Sequence, residues 1–283
     1  KYHSIAAIII KGSSFTVDTN KVIGEARFSD VAMREKEFTE SDLKSDRFEN
    51  RKGFAYLNAI FFERHKRLLV KPIVIRVAVI AVLFFAAIAA SFFVPEFLKP
   101  LSNPGKILPA FVFLMYLASI GERVCKAMFY NCDISLLRYL FYRDKNAILS
   151  NFKVRLLKVA GLNLIVAAAI SAAVVSLSLI FSLHWSAVDI VFFVLSILCL
   201  SLFFSVHHLF LYYVFQPYTA ELGMKNPFYS GISTGVYFLC YFCLRIKSAP
   251  SYFTLIVLLS TIIYIVAALI LVYKYAPKTF RVK

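Results

Sequence analysis

Residues able to do chemistry are thinly spread along this chain, and two groups stand out by type and spacing. In the first, His207 and His208 are adjacent inside an apolar block and are followed by Tyr212, Tyr213, Gln216 and Tyr218. An ionisable side chain within a membrane-length block is by default a candidate for proton handling or ligand binding. Adjacent side chains diverge on a helix and no carboxylate is near in sequence, so no metal site is predicted for the pair. Hydrogen bonding to a neighbouring helix or a headgroup is the structural alternative.

The second group lies in the segment Gly121–Lys158, GERVCKAMFYNCDISLLRYLFYRDKNAILSNFKVRLLK. Asp133 is placed to cap a short helix from Ile134 to about Phe141, with Tyr142-Arg143-Asp144-Lys145 after it. Leu136, Leu137, Leu140 and Phe141 give that helix an apolar face, while Arg138 and Arg143 lie outside and Tyr139 adds a further aromatic. A short helix held at a membrane surface with aromatics and bases is suited to docking in a partner's groove. A plain interfacial loop, its aromatics among headgroups, fits the same residues.

Other polar positions are isolated. Asn163 can bond across helices, and Gly231 and Gly235 (Ser230-Gly231-Ile232-Ser233-Thr234-Gly235) form a G-x-x-x-G that permits close helix packing. Asp189 suits a helix N-terminus through the helix dipole, and Arg76 has a stem long enough to snorkel. The nine glycines include no G-x-x-x-x-G-K-[ST], of which Lys11-Gly12-Ser13-Ser14 is a fragment. The chain is therefore expected to bind no nucleotide or other cofactor and to carry no catalytic residue.

The elements that must position these residues are apolar helices. Val77–Val94, Ile107–Ile120, Val159–Leu183, Ala187–Phe215, Phe228–Leu244 and Tyr252–Tyr273 carry almost no charge. Crossing a hydrocarbon core of about 30 Å takes about 20 helical residues. Most of the blocks meet that length, and Ile107–Ile120, though short, can extend through Gly121. None shows the polar stripe of a soluble core helix. Apolar residues make up 60% of the chain, so the expected fold class is all-α, a polytopic membrane protein with six transmembrane helices. The net charge of +16 needs no nucleic acid. Ten of the sixteen acids lie before residue 74 among fourteen bases, so the excess sits at the ends of apolar blocks, where bases set topology and meet anionic headgroups. The five cysteines show no metal spacing and are expected to be reduced thiols.

Three regions follow. Residues 1–50 read as a linker or small N-terminal segment, in which Ser4–Ile10 and Phe15–Val17 form either a small hairpin or the end of an upstream membrane helix. The chain starts at Lys1 without Met, so an N-terminal portion is absent or the chain is one half of a longer protein. Residues 51–73 read as an amphipathic helix lying at the membrane surface, with Phe54, Leu57, Phe61, Leu68 and Leu69 near helical spacing and Arg64, His65, Lys66 and Arg67 as its basic patch; packing on another chain is the alternative. Lys71-Pro72 is expected to break it from the first span. Residues 74–283 form the membrane domain, with the basic loop 121–158 and both termini on the cytoplasmic side of the plasma membrane under the positive-inside rule.

Three stretches then resemble a known family. Asn131-Cys132-Asp133 through Phe141-Tyr142-Arg143, Arg51-Lys52-Gly53 through Arg64-His65-Lys66-Arg67, and Ser205-Val206-His207-His208 through Gln216-Pro217-Tyr218 resemble, in order, segments of the ABC exporter permeases of Firmicutes. That family includes the permease for a sporulation killing factor. The resemblance runs from about Phe48 to Tyr273 and implies an ABC-2-like (type V exporter) membrane subunit. By it, Phe54, Leu57, Phe61, Arg64 and Arg67 belong to a connecting helix, and Asp133, Leu136, Leu137, Arg138, Tyr139, Phe141, Tyr142 and Arg143 to a coupling helix that receives ATP-driven motion. It implies a separate ATPase partner carrying ATP and Mg, membrane lipids, and a second six-helix half, as homodimer or homologue. Its implied activity is export of a peptide or amphipathic substrate. A membrane-embedded lipid-modifying enzyme using His207 or His208, or a channel or scaffold without ATP coupling, is the competing expectation.

Overall fold

Apolar runs of this length have one way to satisfy their backbone away from water, which is to coil into helices. The computed structural model describes residues 22–26, 28–32, 48, 50, 52–219, 226–247 and 252–281. Among them the elements are helical and no β-strand element occurs. In chain order they are α1 (Gly53–Arg64), α2 (Lys66–Phe93), α3 (Pro104–Ala118), α4 (Gly121–Met128), α5 (Ile134–Leu136), α6 (Lys145–Ile180), α7 (Ala187–Phe215), α8 (Pro227–Cys243) and α9 (Phe253–Thr279). Short 3-10 turns cover Pro95–Ser102 and Leu140–Arg143, and a π-turn, Phe129–Asp133, joins α4 to α5. The hairpin considered for Ser4–Ile10 and Phe15–Val17 lies outside the described residues.

Five helical segments are long and apolar enough to cross a membrane: α2, the composite Pro104–Leu136, α6, α7 and α9. This is the architecture of a multi-pass membrane protein. The sixth apolar block forms α8, which at 17 residues is about 25 Å long and falls just short of that length. On α2, Val74, Ile75, Val79, Val82, Leu83 and Phe85 are all exposed. In water such a face would aggregate; here the bilayer is its solvent.

The direction of each helix follows from its contacts. The basic loop lies at one end of the bundle, called here the base, and the turns 94–103 and 181–186 lie at the far end. The Trp185 indole N–H donates to the Leu101 carbonyl at 2.8 Å, tying those two turns together. α7 and α9 form the most extensive helix pair, and they run parallel. Thr254 pairs with Ser196 near the far end (2.9 Å), Tyr264 with His207 midway (2.9 Å), and Phe280 stacks on Tyr213 at the base (4.4 Å). Between two parallel neighbours the chain must return from the base to the far end, and α8 makes that return. It packs antiparallel to α3, with Tyr237 against Tyr116 and Tyr241 against Phe113.

Two boundaries differ from the sequence expectation. Pro72 does not break the chain; α2 runs through it, and the break falls at His65. Pro72 forfeits one hydrogen bond in the second turn of a 28-residue helix, which a membrane helix absorbs. His65 instead turns its ring back to the Phe61 carbonyl (2.8 Å) and stacks on the Phe61 ring, marking an elbow between α1 and α2. The block expected at Ile107–Ile120 continues to Leu136, but it is interrupted at Ser119-Ile120, where the backbone leaves the helix. Asn163 on α6 fills the gap. Its side-chain oxygen accepts from the freed Ile120 N–H (2.9 Å), and its amide donates to Ser205 on α7 (2.8 Å) and to Ser119 (3.2 Å). Gly121 follows because nothing larger fits: an added Cβ would lie 2.8 Å from His208.

Candidate functional site

The chemistry-bearing residues gather at the base, around an ion pair that bridges the basic loop and α6. Arg155 and Asp133 are both 0% exposed. The guanidinium grips the carboxylate with both terminal nitrogens, at 2.6 Å to Oδ2 and 2.7 Å to Oδ1. The same nitrogens also donate to the hydroxyls of Tyr213 (3.0 Å) and Tyr142 (2.9 Å), and Nε donates to Asn58 Oδ1 (2.8 Å). All five guanidinium protons are thereby used.

Asp133 is equally full. Besides Arg155 it accepts the hydroxyl protons of Tyr142 (2.8 Å) and Tyr212 (2.6 Å), so its four acceptor positions are filled. Asn58 passes the network onward: its amide donates to Asn151 Oδ1 (2.6 Å) and to the Phe54 carbonyl (2.7 Å). Six elements therefore meet in one closed polar hub: α1 through Asn58, the π-turn through Asp133, the loop through Tyr142, α6 through Asn151 and Arg155, α7 through Tyr212 and Tyr213, and the C-terminal Phe280, which packs on both tyrosines. Burial, opposed by the Arg155 guanidinium and reinforced by the Asp133 carboxylate, raises the pKa of Tyr142 well above that of an ordinary phenol, so it stays a donor across the physiological range.

A buried pair with every proton and lone pair satisfied is strongly destabilised by loss of one partner, by about 3–5 kcal/mol, because the other is left as an uncompensated charge. The hub is a rigid root rather than an open reaction centre. Arg155 lies 25 residues before Ile180, about 37 Å along the helix, and so beyond a hydrocarbon core of about 30 Å.

What the hub holds up is a bare knuckle. Leu137 (2% exposed) and Tyr142 (1%) point inward, while Tyr139 (57%), Leu140 (80%) and Phe141 (61%) between them stand in the open. Tyr139 and Phe141 stack on each other at 5.8 Å. Arg138 is exposed and Arg143 part-buried.

This corrects the expected coupling helix. The helix ends at Leu136, Tyr139 is extended, and the chain turns back through a 3-10 turn, because Tyr142 must return to reach Asp133. Asp133 makes no capping hydrogen bond; its carboxylate belongs to the hub. Leu137 and Tyr142 belong to the root rather than to an exposed face, Leu136 is half-buried, and Arg155 is no surface base.

The remaining predicted residues are dispersed. On α1, Phe61 is buried, Phe54 lies against Tyr142, and Leu57 and Arg64 are half-buried, with Arg67 exposed just beyond the elbow. His207 is buried and bonded to Tyr264, and His208 lies on Gly121, so the two rings serve different helix contacts. Asp189 forms a reciprocal capping box with Ser186. Arg76 reaches inward toward the carbonyls of Pro72 and Ser119. Gly231 and Gly235 meet nothing within 4 Å of an added Cβ, so their close-packing face is unused among the described residues. The five cysteines are unpaired, and among the described residues no three His, Cys, Asp or Glu side chains could hold a metal ion together.

Sequence reasoning missed Asn58, Asn151, Arg155, and the role of the N-terminal segment. Phe28 and Val31 are fully buried, Phe28 among Phe129, Tyr130 and Tyr218, while Asp30 pairs with Lys126 at 2.6 Å and Asn131 donates to the Val31 carbonyl. That part of the expected linker is docked on the π-turn. One signal was legible: Asn151, Arg155 and Asn163 recur at multiples of four, a polar stripe on one face of α6. No protein-family model, curated protein or solved structure matches this chain.

Proposed function

We propose that this chain is the membrane subunit of an ATP-driven exporter, with its ATPase on a separate polypeptide and the knuckle 138–143 as the docking element. The observation that carries the reading is the contrast within six residues: three exposed apolar side chains on a root whose polar groups are all satisfied. A lipid-facing loop needs no such root. An element that must transmit force does, since a push on Tyr139, Leu140 or Phe141 passes through Asp133 and Arg155 into α1, α6 and α7 together. In this reading Leu140 joins Tyr139 and Phe141 as an anchor, and Arg138 and Arg143 pair with acids of the partner.

The finer features follow. Counting α8 as a sixth crossing, as the parallel α7 and α9 favour, puts both described ends of the chain at the base, which the positive-inside rule makes cytoplasmic. ATP and Mg then belong to the partner, and this chain performs no catalysis. The unused Gly231/Gly235 face suits a second membrane half, and the apolar, aromatic spans suit a peptide or amphipathic cargo. The competing reading as a lipid-modifying enzyme is weaker, because both candidate bases, His207 and His208, are committed to helix packing.

The test is affinity purification of the tagged full chain from native membranes. A protein with a nucleotide-binding motif should accompany the wild type. Tyr139→Ala/Phe141→Ala should lose it, since truncating aromatic anchors typically costs about 2 kcal/mol or more each, with thermal stability unchanged. Absence of any ATPase from the wild type, or full retention by the double variant, overturns the proposal.

A further inference from the structure

Beside the elbow at His65 an open cleft of about 480 Å³ separates α1 and α2 from α6. Its lining divides into two chemistries. Phe62, Leu69, Val70, Leu157 and Leu162 are apolar, and Lys66 and Lys158 bring two ammonium groups against the one carboxylate of Glu63. The volume lies in the range of ligand pockets, about 300–1,000 Å³. Among the described residues nothing fills the wall at Gly161, where an added Cβ would meet no atom within 4 Å.

Depth decides the kind of occupant. Lys158 stands 22 residues before Ile180, about 33 Å along α6, just outside a hydrocarbon core of about 30 Å. Lys66 begins α2 at the same end of the bundle. Both ammonium groups therefore lie at headgroup level, as does Leu157, while Leu162, one turn further along α6, reaches the acyl region. Leu157 is among the most exposed apolar side chains of α6, so the mouth of the cleft is open at headgroup level.

We infer that this cleft binds one anionic phospholipid, its phosphate between Lys66 and Lys158 and an acyl chain along Leu69 and Leu162. The net positive lining selects an anionic over a zwitterionic headgroup, as basic pockets between membrane helices do. A lipid seated there wedges the elbow against α6 within about one turn of Arg155 in the hub, a property independent of whether the knuckle receives an ATPase.

The experiment is native mass spectrometry of the delipidated full chain titrated with dioleoyl phosphatidylglycerol or dioleoyl phosphatidylcholine. One phosphatidylglycerol per chain should be retained in preference to phosphatidylcholine. Lys66→Gln/Lys158→Gln should weaken that binding about thirty-fold, about a factor of five for each lysine near the surface. Gly161→Leu, which fills the wall without touching charge in a helix that gains propensity, should abolish it. Inorganic phosphate at the same concentration should not displace the lipid. Equal retention of both lipids, wild-type binding by either variant, or displacement by free phosphate overturns the inference.

Discussion

Arg155 and Asn163 stand on the same face of α6, about 12 Å apart, and solve opposite problems. Arg155 organises a charged hub with no donor or acceptor to spare. Asn163 patches a break in a neighbouring helix with three neutral hydrogen bonds. The hub lies where the chain leaves the bilayer and joins six elements. The patch lies where two apolar helices already hold α3 and α4 in place. Charge is thus placed where segments remote in sequence are joined, and a small amide where a single backbone group needs a partner.

The largest expected effect comes from breaking the hub on one side. Asp133→Ala should lower unfolding stability by about 3–5 kcal/mol, since it strands a buried guanidinium. The paired change Asp133→Leu/Arg155→Met should cost much less, because neither charge is left behind. Chemical denaturation in detergent measures both, and equal losses would show that packing rather than charge governs the hub.

Asn163→Leu comes second, at about 1–3 kcal/mol, the cost of leaving a buried N–H without a partner. Ser205→Ala, which removes only one of Asn163's contacts, should cost about 0.6 kcal/mol, typical of an interhelical bond in a membrane. If Ser205→Ala matched Asn163→Leu, the Ile120 N–H would not be the group that Asn163 serves.

The smallest effect separates the hub from the elbow beside it. Burial lowers the pKa of His65 below its ordinary 6.5, with the Phe61 carbonyl opposing and Arg64 reinforcing that shift. The folded form therefore favours the neutral ring, with Nδ1–H donating to Phe61. Its contribution is fully present above pH 6.5 and is lost as the pH falls below that value. Melting curves between pH 7.5 and 5 should show a modest decline that His65→Gln reduces and Tyr142→Phe leaves in place, because Tyr142 does not titrate there.

The membrane class was legible because hydropathy acts over whole blocks, and all six blocks became helices. The break in the second block was not, because Ser119-Ile120 looks like any other part of an apolar run and its repair comes from Asn163, 43 residues on. The basic loop misled for a related reason. Asp133 before an apolar run has the signature of a helix cap, and only the fold brings Arg155, Tyr142 and Tyr212 of α7 to the same carboxylate. Tyr142 then had to face inward, and that requirement overrode the helical period from Ile134 to Phe141.

The parallel course of α7 and α9 has a consequence for biogenesis. α7 leaves the ribosome with Ser196, Ser205 and His207 already in place, yet Ser196 and His207 receive their partners only when α9 emerges, after α8 has returned to the far end of the bundle. Until then those polar groups face lipid. The seam between α7 and α9 is the last to close, so a chain arrested before Phe253 carries its own mark of incompleteness for membrane quality control to read.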